Sequence, residues 1–223
     1  MKRILLLFAM ATAMTATAMP QGKQGELEKV IALLNTKSLT FHSVQTDFIS
    51  DTFQKAGDEH FNDSGTLYFK RSRKGTEIAI DNNPQKPAHE KVVVKNGAAQ
   101  INHFNSKSIE THSAGDKREK LEGFLTLGFG GSGNEIMEKF DVKYVGIESV
   151  GNRATYKLEL TPKSKEAREM FRLIILWIDQ ETGMSVQQRL LSGLTDYHLA
   201  TYSNFRINQK LPGNAFELPA SKR

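Results

Sequence analysis

Between Gln24 and Lys37 the apolar residues Leu27, Val30, Ile31 and Leu34 recur at i, i+3, i+4 and i+7. That spacing places one apolar stripe on an amphipathic helix. Beyond it the period shortens. Residues 41–54 mix β-branched and aromatic residues with polar ones, as a half-buried strand does. Short strands are predicted to follow at Ser64–Arg71, Glu77–Asp81, His89–Lys95, Ala98–Phe104 and Ile109–His112. Turns are expected at Gly57-Asp58, Asn82-Asn83-Pro84 and Asn96-Gly97, the last a two-residue hairpin signal. Helical spacing returns at Lys117–Leu127 and, after the run Gly128-Phe129-Gly130-Gly131-Ser132-Gly133, at Asn134–Phe140. Ser132 and Glu135 are spaced as a capping box for that second helix. Strands resume at Asp141–Ser149 and Ala154–Pro162, with a helical piece at Lys165–Met170. Then come the apolar strand Leu173–Ile178, a turn at Thr182-Gly183, and strands Met184–Leu191, Asp196–Tyr202 and Phe205–Asn208.

Sequential strands joined by short turns imply an antiparallel sheet. With no internal repeat or linker, the economical α+β architecture is a single strongly curved sheet, with its helices gathered on one face to cover the apolar side.

The first residues change the picture. Lys2 and Arg3 precede an apolar run from Ile4 to Met14 and the small residues Ala16-Thr17-Ala18. That order of basic, apolar and small-x-small segments is a secretory signal, which predicts cleavage near Ala18 and a single mature domain over 19–223. The apolar run is shorter than the roughly 20 residues that span a bilayer. Loss of residues 1–18 lowers the net charge from +5 to +3, too little to suggest a polyanionic partner, and export argues against nucleic acid. The absence of cysteine excludes disulfides, Cys-ligated metal, thiol catalysis and a lipidated N-terminal cysteine.

Candidate chemistry is sparse. The glycine run lacks a following Gly-Lys-Ser/Thr and the dinucleotide spacing, so a hinge between two lid helices, at Gly128, Gly130, Gly131 and Gly133, is the better reading. Ser132 is not in a Gly-x-Ser-x-Gly elbow, which disfavours a hydrolase. The six histidines have no metal-ligand spacing; His103 and His112 could meet across a hairpin near Glu110. Asp58, Glu59, Asp63 and Asp81 are expected to be solvated at turns. Lys70-Arg71-Ser72-Arg73-Lys74 reads first as a solvated hairpin end and second as an attractor of anionic headgroups.

The apolar face offers the sharper hypothesis. Val44, Phe48, Leu67, Phe69, Ile78, Ile80, Val92, Val94, Leu158, Leu160, Ile175, Trp177, Leu190 and Leu199 can supply one face of the sheet. An ordinary filled core explains them. If the helices do not fully close, these residues line a cavity with Leu121, Phe124, Leu125, Phe129 and Phe140. Acyl chains would enter it at roughly 0.8 kcal/mol per buried CH₂.

The order of segments resembles a known family. The signal sequence and amphipathic helix, then Phe41-His42-Ser43-Val44-Gln45-Thr46-Asp47-Phe48 and Gly65-Thr66-Leu67-Tyr68-Phe69-Lys70-Arg71, are followed by the Asn96-Gly97 turn and the helical insertion. Tyr202-Ser203-Asn204-Phe205-Arg206-Ile207-Asn208 then leads to Leu211-Pro212 and Phe216. Over nearly the whole mature chain this resembles the LolA-like periplasmic lipoprotein carriers. The resemblance implies an incomplete antiparallel β-barrel with helices on its concave face and a cavity for acyl chains. It further implies a monomer without cofactor, metal or enzymatic activity. Its partners would be acylated lipoproteins or lipids, an inner-membrane ABC-type release complex and an outer-membrane acceptor. An Arg of the family's Lys-Arg-Pro segment is linked to lid closure and cargo release; Lys70-Arg71 match it, with Ser72 in place of the Pro. Asn105-Ser106 replaces the usual turn after the aromatic strand. Related domains serve as lipid binders or as periplasmic regulatory modules, so the alternatives are a free-lipid carrier and a non-carrier module.

Overall fold

The computed structural model describes residues 21–72, 75–95, 98–113 and 127–218. The expected signal sequence, the Asn96-Gly97 turn and the expected helix over Lys117–Leu127, apart from Leu127 itself, lie outside the described residues, as do Arg73 and Lys74.

Helix α1 (Gln21–Thr40) leads into β1 (Ser43–Gln54), β2 (Glu59–Ser72), β3 (Gly75–Asn82), β4 (Glu90–Lys95), β5 (Ala98–His103) and β6 (Ser108–Ser113). After helix α2 (Gly133–Lys139) come β7 (Phe140–Val150), β8 (Arg153–Pro162), helix α3 (Lys165–Met170), β9 (Leu173–Asp179), β10 (Ser185–Leu191) and β11 (Tyr197–Ile207). Each strand pairs antiparallel with the next in sequence except β6 with β7, and β1 also pairs with β11, giving the order β6-β5-β4-β3-β2-β1-β11-β10-β9-β8-β7. Among the described residues the sheet is therefore open, with β6 and β7 as its edges.

Local chemistry explains the boundaries. Asp58 adopts φ +52 in the β1–β2 turn, a conformation Asp tolerates because its short side chain bonds locally. Helix α2 carries the expected capping box, with the Glu135 N–H donating to Ser132 Oγ (3.1 Å) and the Ser132 N–H to Glu135 Oε2 (3.0 Å). The two closing strands expected at 196–202 and 205–208 are one strand, β11. A bulge interrupts its period. The β1 register shifts between Gln45 and Asp47, Asn204 sits at φ +54, and Thr46 Oγ1 donates to the Ser203 carbonyl at 2.6 Å.

Leu27, Val30 and Leu34 of α1 are buried against Leu158 and Leu160 of β8 and Ile174, Leu176 and Ile178 of β9. A second cluster gathers Phe41, Val44, Leu67, Phe69, Ile78, Val94, Phe129 and Met184. Register fixes which face these residues share. Val44, Phe69, Ile78, Val94 and Ala99 are direct cross-strand partners in one row; Leu67, Ile80, Val92 and Ile101 form the next. The C-terminal segment contacts the opposite face, where the Lys91 ammonium donates to the Asn214 carbonyl and Lys70 lies over Phe216.

The β9–β10 turn is held by one carboxylate. Asp179 Oδ1 accepts from the Thr182 N–H and Oγ1 (2.7 Å each), while Oδ2 accepts from Arg153 (3.0 Å). Burial works against ionisation there, but the Thr182 and Arg153 donors outweigh it and hold the carboxyl below its ordinary range. A depressed native value stabilises the fold above the unfolded pKa near 4, and this contribution is lost as pH falls through the native value. Acid unfolding followed by circular dichroism is expected to show that loss in the wild type. Asp179→Asn should be less stable at neutral pH and show a smaller acid dependence.

Candidate functional site

The inner face is covered unevenly. On the β7–β9 side α1 brings Leu158, Leu160, Ile174, Leu176 and Ile178 to essentially zero exposure. On the β1–β5 side Val44, Leu67, Phe69 and Ile78 are buried, but Phe48, Ile80, Val92, Ala99 and Ile101 remain half-buried. Strand alternation places all of them on the same face.

Most of the residues expected on an apolar inner face are there: Val44, Phe48, Leu67, Phe69, Ile78, Ile80 and Val92 on the β1–β4 half, Leu158 and Leu160 under α1. Phe129 is fully buried against Tyr202, ring edge to face at 4.9 Å, and Phe140 is buried in the α1 cluster. Ile175 and Trp177 are corrections. Leu176 pairs with Leu158, and Ile174 with Leu160, whereas Ile175 faces Glu159 and Trp177 faces Lys157 on the outer side. There the Trp177 indole N–H donates to Glu148 Oε2 at 2.7 Å beneath the Lys157 ammonium. The run Leu173–Ile178 is apolar on both faces, so its sequence carries no alternation from which to read the inward one. Leu121, Phe124 and Leu125 lie outside the described residues.

The glycine run, expected as a lid hinge, is closely packed. A Cβ on Gly128 would lie 2.3 Å from Ser185 Cβ, one on Gly130 1.9 Å from the Phe41 ring, and one on Gly133 2.6 Å from the Ile31 carbonyl of α1. Gly128 and Gly130 also have φ of +81 and +70. At Gly128, Gly130 and Gly133 the backbone approaches side chain or helix too closely for a Cβ, so the run is packed as an anchor in this conformation. Gly131 is half-buried between them. The anchor is bonded as well as packed: the Ser185 N–H donates to the Gly128 carbonyl at 2.8 Å, and Gln188 Nε2 donates to the Leu127 carbonyl. Gln188 Oε1 accepts in turn from the Tyr202 hydroxyl at 3.3 Å, whose pKa burial pushes upward. Sequence reasoning passed over Gln188, because a polar residue in an alternating strand carries no sign of what it meets.

Arg71 continues the inner row after Leu67 and Phe69. Its guanidinium lies 5.9 Å from the Phe41 ring centroid and 6.0 Å from that of Phe69, a cation–π arrangement that holds a charge above an apolar floor. Lys70, on the other face, shares Glu77 with Lys95. A pocket of about 240 Å³ opens between Lys37, Phe41, Glu181, Met184, Ile207 and Asn208, bordering the Val44–Phe69 row through Phe41 and Ile207.

Asp58 and Glu59 are exposed at the β1–β2 turn, as expected, whereas other histidines and carboxylates are tied into the sheet. His103 is opposite Ser108, not His112, which the register sets opposite Ala99. His103 Nδ1 instead meets Glu90 Oε1 at 2.7 Å. Asp81 and Asp63, expected at solvated turns, lie in strands: Asp81 bonds His89 (2.7 Å) and Asp63 accepts from Asn83 (2.6 Å). Among the described residues no group of three or more His, Cys, Asp or Glu could hold a metal ion.

No protein-family model and no curated protein sequence matches this chain. Solved structures do match its fold. MucB superposes with a TM-score of 0.55 at 14% identity, over 88% of this chain and 64% of MucB, so this chain spans less than two thirds of that protein. The Pseudomonas aeruginosa MucA/MucB complex gives 0.52 at 14% identity. LprF from Mycobacterium bovis gives 0.50 at 14% identity, over 86% of this chain and 98% of its own. The Mycobacterium tuberculosis lipoprotein LppX gives 0.50 at 12%, over 84% and 98%. At these identities the likeness is one of fold: an open, curved antiparallel sheet with helices against it, consistent with the architecture that the LolA-like resemblance implies.

Proposed function

We propose that this chain is an exported, non-enzymatic carrier that shelters acyl chains against the inner face of β1–β5. In its most specific form it ferries lipoproteins from an inner-membrane ABC-type release complex to an outer-membrane acceptor. The observation that carries the reading is the unequal cover of the inner face, with Phe48, Ile80, Val92, Ala99 and Ile101 half-buried beside a core closed by α1. An acyl chain laid along these rows gains roughly 0.8 kcal/mol per buried CH₂, enough for tight but reversible holding. Arg71, above Phe41 and Phe69 at the end of the row, is the release residue in this scheme.

Native mass spectrometry of the protein drawn gently from its own cell envelope tests this. An acylated polypeptide of added mass supports lipoprotein transport, and free lipid keeps the shelter but changes the cargo. A clean mass, with no uptake of added lipid or lipopeptide, overturns the carrier. In the same assay Arg71→Leu should load cargo yet transfer it poorly to an acceptor membrane; normal transfer removes Arg71 from the mechanism. The structural likeness to MucB, which is solved in complex with MucA, supports a second reading as a protein-binding regulatory module. Capture of a protein partner by an apo protein that takes up no lipid favours that reading.

A further inference from the structure

One end of the inner face is polar. Beyond the rows Val44–Phe69–Ile78–Val94 and Leu67–Ile80–Val92–Ile101, the next row across the strands is Tyr202, Phe48, Gly65, Asn82, Glu90, His103 and Ser108. The row after it pairs Gln188, Ala200, Ser50 and Asp63. The apolar surface thus gives way, within two to four residues along each strand, to Ser50, Asp63, Asn82, Glu90 and His103, with Glu110 beside Ile101.

This belt holds polar atoms that the protein leaves without a hydrogen bond. Ser50 is 6% exposed, its side chain faces inward between Ala200 and Asp63, and its Oγ has no hydrogen-bond partner. Asn82 Oδ1 and His103 Nε2 are likewise buried atoms without one. His103 Nε2 lies 3.4 Å from Glu110 Oε1, an ion-pair distance that lacks hydrogen-bond geometry. Leaving a buried polar group unmatched costs on the order of 1–3 kcal/mol, so three on one face, in the alternate strands β1, β3 and β5, mark a surface that something else completes. Gly65 stands between Phe48 and Asn82 in that row, and a Cβ there would meet the Asp81 carbonyl at 2.0 Å and the Phe48 ring at 3.0 Å, so Phe48 lies close over this point of the belt.

We infer that this belt receives the polar head of the cargo, and that the head is neutral and hydroxyl-rich, as in a glycosyl diacylglycerol. The inference rests on the acyl-carrier reading and narrows it. A hydroxyl both donates and accepts, which suits Asn82 Oδ1, the Ser50 hydroxyl and the carboxylates Asp63, Glu90 and Glu110 together. A phosphate only accepts at this surface and would face three carboxylates. No Lys or Arg stands at an inward position of these rows among the described residues. The acyl chains then run from the belt over Ile80, Val92 and Ile101 towards Phe69 and Arg71.

The purified full chain is incubated separately with vesicles of monogalactosyl diacylglycerol and of phosphatidylglycerol bearing identical acyl chains, and bound lipid is counted after vesicle removal. The galactolipid should be taken up at least tenfold more. Ser50→Val and Asn82→Leu should erase that preference while acyl uptake persists. Ser50→Val should also raise the apo melting temperature, because it removes an unmatched hydroxyl. The exposed Glu110→Gln, which tests the belt without touching the core, should weaken the preference as well. Equal uptake, or preference for the phospholipid, overturns the head-group assignment and leaves the carrier intact. Uptake of neither lipid overturns both.

Discussion

Gly130→Ala is expected to destabilise the protein by about 3 kcal/mol, one of the largest effects of a single methyl group in this chain. The left-handed backbone contributes roughly 1–2 kcal/mol of that for any residue with a Cβ. The remainder comes from the Phe41 ring, whose nearest atom would lie 1.9 Å from the new carbon. The ring has little freedom to give way, because Phe41 is 3% exposed and packed on Phe69 at 5.4 Å. Gly151→Ala is the control. Gly151 has φ +59 but nothing within 4 Å of the added carbon, so only the backbone part should be lost. Thermal unfolding should show a drop of roughly 6–12 °C for the first variant and about half or less for the second. Equal drops would mean that Phe41 is not pinned under the glycine run, and that the anchor drawn for Leu127–Gly133 does not hold.

Val92→Trp carries the largest functional effect. Val92 pairs with Ile80 and Ile101 on the half-buried part of the inner face, away from the α1 cluster. The indole should fill space over these rows and displace an acyl chain, lowering uptake of a palmitoylated peptide by more than tenfold. Stability should change by no more than about 1–3 kcal/mol, the range for overpacking, because the β7–β9 core is untouched. A matched bulky change on the outer face, such as Ile175→Trp, should leave uptake alone. Fluorescence titration with a labelled lipopeptide distinguishes the cases. Unchanged uptake by Val92→Trp would place the acyl chain elsewhere, and equal loss in both variants would point to general misfolding.

Short-range chemistry made much of this readable in advance. The α1 stripe, the Ser132–Glu135 capping box, the Gly57-Asp58 turn and the meander of strands each depend on residues within a few positions of one another. The β1–β4 alternation of Val44, Leu67, Phe69, Ile78 and Ile80 was legible for the same reason, since polar residues mark the opposite face. Where that marker vanishes, as in Leu173–Ile178, Ile175 and Trp177 were assigned inward although they face Glu159 and Lys157 outside. The polar belt was equally hidden, because Ser50, Asn82, Glu90 and His103 sit in four strands and read singly as solvated positions.

Local sequence thus marked most of the described helices and strands, their meandering order, and an apolar face that has to be covered. These follow from periodicity and from turn and cap residues, all local. Tertiary contacts set which face of β9 is inward, how closely the glycine run packs, and that Ser50, Asn82 and His103 share one face. Those outcomes depend on register between strands up to well over 100 residues apart, as in Ser50 opposite Ala200. They depend too on close contacts such as Gly130 against Phe41, about which local sequence holds no information.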